Sequence, residues 1–297
     1  MIVLMEITII YVALVLVGLC MGSFAGATVW RLRADELSDD KTNKEDYDKN
    51  EYHQLKKLMS VKLSKDRSQC LHCSYQLKWY DLIPLVSWIL LKGRCRNCHK
   101  PIGYFEPIIE LGVALFFVLS FAFWPYSLDG GLEIARLILW LASGVGLAIL
   151  FVYDTKWFML PDKVNFTVIG IALISAITVI MGSTDKTEVL ISLAGSVVIL
   201  SGLYYLIYKV SRGRWIGFGD ITLGLGLALL LADWGLAFVA LFAANLIGCL
   251  IVIPLMMLGK LKRDSHIPFG PLLIIGAVVS QLVGALLIDW YTSGLLV

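Results

Sequence analysis

Apolar runs long enough to cross a bilayer recur along the whole chain, separated by short polar breaks. Measured against the roughly 20 residues that a hydrocarbon core requires, they predict helices near 7–28, 107–124, 134–153, 164–182, 188–208, 219–232, 236–258 and 268–288. The segment 219–232 is the shortest of these, is rich in glycine and begins beside a charge. It reads as a half-buried or tilted element rather than a plain span.

Composition agrees with that pattern. Hydrophobic residues make up 58% of the 297, against the roughly 45–50% usual in soluble domains, and the mean hydropathy is +0.79. A single aqueous globule is excluded. The net charge of +2 is too small to argue for a nucleic-acid partner; the partner implied is the lipid bilayer. The placement of the basic residues gives the topology. With the N-terminus outside, segments 29–106, 154–163, 209–218 and 259–267 all face the cytosol, and they hold every one of the 25 lysines and arginines except Arg136 and Lys186. With seven spans instead of eight, Lys260, Lys262 and Arg263 would lie outside. The first basic residue is Arg31, so no basic signal region precedes the first apolar run, which is expected to be retained.

These breaks divide the chain into a first transmembrane helix (1–28), a cytosolic loop (29–106) and a seven-helix membrane domain (107–297). Within the loop, 34–66 is a charged insertion dominated by Asp, Glu, Lys and Asn, with few apolar anchors. It is expected to be partly helical or disordered, a solvated linker or surface helix.

The segment 67–101 that follows is organised differently. Cys70-Leu-His-Cys73 and Cys95-Arg-Asn-Cys98 form two C-x-x-C knuckles on one loop, the spacing by which paired thiolates complete a tetrahedral zinc site. A cytosolic loop disfavours disulfides. Cys95-Arg-Asn-Cys98-His99 also matches the haem-attachment pattern, which leaves Cys70 and Cys73 unexplained, and four thiolates could equally hold an iron–sulfur cluster. Zinc is the simplest occupant. A closed shell of four thiolates implies a structural role, stapling a loop too poor in apolar residues to fold unaided. Cys20 and Cys249 lie alone in apolar spans and need no special role. Between the knuckles, the aromatic run from Trp79 to Trp88 suggests packing on the knuckles and at the membrane interface, or contact with substrate. The fold class is therefore an all-α polytopic membrane protein of about eight transmembrane helices with a small cytosolic four-cysteine zinc module.

Charges at the edges of spans are costly and narrow the search for function. Asp154 closes the third span in Tyr153-Asp154-Thr155-Lys156, ahead of Leu160-Pro161-Asp162. Asp220 follows Gly217-Phe218-Gly219 at the start of the sixth. The topology puts both at the cytosolic face. Two carboxyls a few ångströms apart do not readily ionise together, so one keeps a proton while the other stays anionic, and such a pair can hydrolyse an amide through water. Gly217 and Gly219 would let the backbone bend and let a substrate strand come close. The competing reading is a transporter or assembly factor in which Asp154 and Asp220 line an ion path or cap helices.

Taken in order, these residues resemble the prepilin peptidase family, the membrane aspartyl proteases that process type IV leader peptides. Gly22-Ser23-Phe24 with Arg31-Leu32 is similar to the motif ending its first helix. The double C-x-x-C, with Trp79-Tyr80-Asp81, Ile83-Pro84 and Arg94-Cys95-Arg96, is similar to its cytosolic module. Asp154 with Leu160-Pro161-Asp162, Gly217-Phe218-Gly219-Asp220, and Ile267-Pro268-Phe269-Gly270-Pro271 are similar to its remaining motifs. The resemblance implies an endopeptidase with Asp154 and Asp220 catalytic, zinc on the four cysteines, and prepilins or pseudopilins of a type IV pilus, DNA-uptake or secretion system as substrates. It also implies a bacterial cytoplasmic (inner) membrane, and N-methylation of the new terminus from S-adenosylmethionine by residues that the motifs do not identify. Two positions depart from the family: Thr222 stands where a lysine is usual, and Gly26 where an asparagine is common.

Overall fold

The computed structural model describes residues 2–44, 47–59, 67–262 and 266–295. Arg263, used in reading the topology, and residues 45–46 and 60–66 of the charged insertion lie outside them. The described residues are almost entirely helical, with two isolated β-bridges, Gln69 with Gln76 and Arg94 with Pro101. Two compact units divide the chain, Met1–Val118 and Leu119–Val297.

In the first unit, α1 (Ile2–Asn43) does not stop at the end of its apolar run but continues for 42 residues into the charged insertion. Its polar half is stabilised by α2 (Lys49–Met59), which returns against it. Leu37 and Leu55 are fully buried there with Ala34, and Trp30, Tyr52, Leu58 and Leu71 close around them. The Arg33 guanidinium, itself buried, donates to Glu51 from two nitrogens at 2.9 and 2.8 Å and to Glu36 at 3.0 Å. Much of the insertion is thus a small packed helical hairpin rather than a solvated linker. A handful of apolar positions, spaced to share one face, sufficed. Beyond it come a 3-10 turn (Trp79–Leu82), the short α3 (Val86–Leu90) and the start of α4 (Phe105–Ala122). Gly18 and Gly22 of α1 face the α4 backbone at Ala114 and Glu110 so closely that a Cβ at either would clash.

The second unit is a helix bundle. It consists of α5 (Gly131–Trp157), α6 (Asp162–Gly182), α7 (Lys186–Val197), a π-helical turn (Val198–Gly202), α8 (Leu203–Ser211), α9 (Phe218–Leu231), α10 (Trp234–Met257) and α11 (Phe269–Leu295). Among the described residues seven helices are long and apolar enough to cross a membrane, with α7, the π turn and α8 forming one continuous rod, Lys186–Ser211. The eighth predicted element, α9, has only 14 residues, about 21 Å of helix against a hydrocarbon core of about 30 Å.

Helix α9 is enclosed by protein. Leu223, Leu227 and Ala228 are fully buried, and α6, α7, α8 and α11 all touch it. An all-round apolar helix needs such surroundings. Its closest neighbour is the rod of α7 and α8. A Cβ on Gly224 would overlap the Leu200 carbonyl, while Ser196 and Ser201 donate their hydroxyls to the carbonyls of Ala228 and Ile221 at 3.0 and 3.1 Å. Small residues and hydroxyl-to-carbonyl bonds of this kind hold helices together where the surrounding lipid supplies little drive for association.

Leu55→Ala truncates the fully buried α2 side chain of the α1–α2 core. It should destabilise the first unit by about 2–5 kcal/mol and speed proteolytic cleavage within residues 44–67, readable by timed proteolysis and mass mapping.

Candidate active site

The four knuckle cysteines converge. Cys70 Sγ lies 3.9 Å from Cys98 Sγ, and Cys73 Sγ lies 3.9 Å from Cys95 Sγ; all four sulfurs fall within 4.8 Å of one another. A tetrahedron of sulfurs about 2.3 Å from a central zinc has edges of about 3.8 Å, so the donor set fits a single metal ion. The two knuckles are built alike. Cys70 N–H donates to Tyr75 O and Cys95 N–H to Lys100 O, both at 2.9 Å, while Ser74 and His99 N–H close the turns onto Cys70 and Cys95 carbonyls. Ser74 and His99 both adopt left-handed backbone angles, with φ of 59° and 56°. The haem pattern at Cys95 and Cys98 does not account for this shared centre.

Electrostatics differ across the cluster. The Tyr75 backbone N–H and the Asn97 side chain draw the Cys73 thiol down to about 6, while burial pushes Cys70 up to about 12. Asp81, in the 3-10 turn, accepts from Arg96 Nε at 2.8 Å and braces the second knuckle. Of the aromatic run, Trp88 lies against Gly93 and donates to Gly103 O at 2.7 Å, whereas Trp79 is 77% exposed. Beside the module is a cavity of about 340 Å³, lined among others by Gly26, Trp30, Trp88, Glu106 and Glu110. Glu110, deeply buried, accepts the Leu85 N–H at 2.8 Å, and Glu106 accepts from the Trp30 indole at 3.3 Å.

In the second unit, Asp154 lies in the last turns of α5 and Asp220 in the first turn of α9. They are 66 positions apart in sequence and within electrostatic reach of one another in space. Asp154 is only 6% exposed. One of its oxygens accepts the Gly270 N–H at 3.0 Å, and one Asp220 oxygen accepts the Gly217 N–H at 3.2 Å. Asp220 therefore does cap its own helix, through a single oxygen. Capping cannot explain Asp154, which sits where the helix dipole is negative and disfavours a carboxylate. Leu160 fills the space between: a Cβ added to Gly219 would fall 2.9 Å from Leu160 Cβ, and one added to Gly270 would fall 2.8 Å from Asp154 Oδ2. The Leu160-Pro161 turn, the Gly217-Phe218-Gly219 turn and the start of α11 are thus packed around the two carboxylates.

Comparison with known proteins shows what the chain is similar to. Residues 16–124 match the model of the bacterial peptidase A24 N-terminal domain. The type 4 prepilin-like proteins leader peptide-processing enzyme of Escherichia coli O78:H11 is 31% identical over 91% of this chain and 92% of its own length. The prepilin leader peptidase/N-methyltransferases of Aeromonas hydrophila and Legionella pneumophila are 30% and 27% identical, over 77% and 95% of this chain and 76% and 94% of theirs. The chain belongs to the prepilin leader peptidase family. No solved structure matches it.

Thr222 has a structural partner that sequence reasoning missed. Asn165, fully buried in the first turn of α6, donates from Nδ2 to Thr222 Oγ1 at 2.7 Å and to Gly219 O at 3.2 Å. Thr222 in turn donates to Gly219 O at 2.9 Å. Asn165 and Thr222 together clamp the carbonyl that precedes Asp220. The signal available beforehand was an asparagine inside an apolar span, a placement that demands a partner. Gly26 also has a structural reading: a Cβ there would meet only Ile109 Cδ1, at 3.7 Å, so the glycine leaves room along the cavity wall.

Asn165→Ala removes two of the three bonds of the clamp and leaves that of Thr222 to Gly219 O. It should lower stability by about 1 kcal/mol, measured as a reduced thermal midpoint in detergent, and slow turnover.

Proposed function

We propose that this enzyme is a membrane aspartyl endopeptidase that removes the leader from type IV prepilins or pseudopilins at the cytosolic face of a bacterial inner membrane, with Asp154 and Asp220 as its catalytic pair. The observation that supports this reading is that two carboxylates from helix ends far apart in sequence come within electrostatic reach of one another, each with one oxygen held by a glycine backbone amide. Held in this way, each carboxyl keeps its second oxygen for chemistry.

In the mechanism, a water between the pair attacks the scissile carbonyl carbon. Its proton passes to the anionic carboxylate while the protonated carboxyl gives its own proton to the carbonyl oxygen, forming a tetrahedral diol. Collapse of the diol breaks the C–N bond and re-forms the carbonyl. The proton taken from water goes to the departing amine, and a diol proton restores the other carboxyl. Gly217, Gly219 and Gly270 leave the carboxylates approachable, and the exposed Phe158, Trp215 and Phe218 offer apolar surface to a substrate helix.

The basic loops support an orientation with the N-terminus outside and with both the carboxylate pair and the cysteine module in the cytosol. The relatives' shared name supports a second activity, methylation of the new N-terminus from S-adenosylmethionine. The cavity of the first unit, with its carboxylates and indoles, is chemically suited to a sulfonium or ammonium group. Zinc is the metal that best suits four thiolates at these separations, and it would act by holding the two knuckles together. The transporter alternative draws less support, because ion paths place acids near mid-membrane and these lie at helix ends.

A prepilin coexpressed with wild type, Asp154→Ala or Asp220→Ala tests the pair. Each variant should cut processing by roughly 1,000-fold or more, read as leader retention by mobility and N-terminal mass; complete processing by both would exclude the mechanism. The same spectra should carry a single methyl increment on cleaved product from wild type. Metal analysis should find one zinc per chain, and Cys73→Ser with Cys95→Ser should abolish it and expose the first unit to protease.

A further inference from the structure

One buried polar group beside the carboxylate pair is not used by the mechanism above. Tyr204, near the start of α8, is 3% exposed, and its hydroxyl has no hydrogen-bond partner among the described residues. Burying a hydroxyl without a partner costs on the order of 1–3 kcal/mol, a cost more usual at sites that await a ligand than in packing cores.

The register between the α7–α8 rod and α9 shows where this group lies. Contacts run antiparallel along the pair: Ser196 with Ala228, Leu200 with Gly224, Ser201 with Ile221, then Tyr208 with Phe218, whose rings are 6.2 Å apart. Tyr204 falls between the last two and so stands opposite Gly219 and Asp220. From the other side its ring meets Phe269 edge to face at 5.4 Å. Phe269 directly precedes Gly270, whose N–H holds Asp154. Consistent with this placement, the charge of Asp220 reaches the Tyr204 hydroxyl.

The π-helical turn Val198–Gly202 contributes to this aim. It holds one more residue than an α turn, so the helix beyond it is rotated by about 100° relative to an uninterrupted one. With that rotation residues 201, 204 and 208 form the face that follows the start of α9. Such turns are found often at functional positions.

We propose that Tyr204 is a further catalytic residue of this peptidase, its phenol hydroxyl donating a hydrogen bond to the scissile carbonyl oxygen as that oxygen gains charge between Asp154 and Asp220. The inference rests on the proposed aspartyl mechanism. The phenol keeps its own proton throughout; the proton that the carbonyl oxygen receives still comes from the carboxyl, and the hydroxyl stabilises the developing diol as a fixed neutral donor. Burial of the ring and its edge-to-face contact with Phe269 hold the hydroxyl's position.

Tyr204→Phe tests this with minimal change, since the ring and its contact with Phe269 remain. In purified enzyme with a prepilin substrate, kcat should fall roughly 100-fold, as for loss of one oxyanion donor, with KM within about twofold. The thermal midpoint should stay level or rise, because no hydrogen bond in the free enzyme is lost. Near wild-type kcat in Tyr204→Phe alongside an inactive Asp220→Asn would overturn the Tyr204 role and leave the carboxylate mechanism standing. Wild-type turnover by Asp220→Asn would overturn both. A fall in kcat accompanied by a lowered midpoint or a matching rise in KM would make Tyr204 a packing or binding residue and overturn its role as donor.

Discussion

A helix that is apolar on every side and too short to cross a bilayer has to be surrounded by protein, and α9 is such a helix. Its enclosure determines where its N-terminus lies, and with it Asp220. Three hydroxyl bonds set the depth: Ser196 and Ser201 from the rod of α7 and α8, and the Asn165 and Thr222 pair from the α6 side. Each joins a side chain to a backbone carbonyl or to another hydroxyl across a helix interface, where the alternative is a polar group left in an apolar medium. A shift of α9 by one residue would break them together. The position of Asp220 is consequently a property of the bundle as a whole and not of the turn that bears it.

The two carboxylates occupy opposite kinds of helix end. Asp220 stands at an N-terminus, among free amide groups that favour a negative charge, and Asp154 stands near a C-terminus that does not. Unlike surroundings suit the general acid and general base roles proposed for the pair, since the two members must then hold different protonation states at the same moment. Glycine amides then fix one oxygen of each. Where a Cβ would strike Asp154 at Gly270 or Leu160 at Gly219, the absence of a side chain is a steric requirement of the site as well as an aid to substrate approach.

The first unit solves a different problem. Its cysteine segment buries few of its apolar residues, and Trp79, Ile89 and Leu90 among them are turned to the outside. Two similar knuckles, each with a left-handed residue after its second cysteine, set four sulfurs at tetrahedral separations. A metal ion held there would replace the missing hydrophobic core. The α1–α2 hairpin contributes what apolar packing there is, with Leu71 of the first knuckle reaching into it.

The apolar helices, the convergence of the four cysteines and the placement of two aspartates at helix ends were legible in the sequence, because each leaves a local mark: a long apolar run, a repeated spacing, a charge at the edge of a hydrophobic segment. Even the short sixth span stood out by its glycines. The continuation of α1 through the charged insertion was not legible, since it depends on a few apolar residues meeting a second helix and on Arg33 finding Glu51. Nor were Asn165 and Tyr204, an ordinary asparagine and tyrosine in apolar stretches until α9 is laid against them. Composition and spacing by themselves determined a membrane-embedded chain with a metal-binding loop and two costly carboxylates. Only the tertiary structure decided which groups stand beside Asp220, because a helix register is fixed by contacts between residues remote in sequence, and no local pattern encodes it.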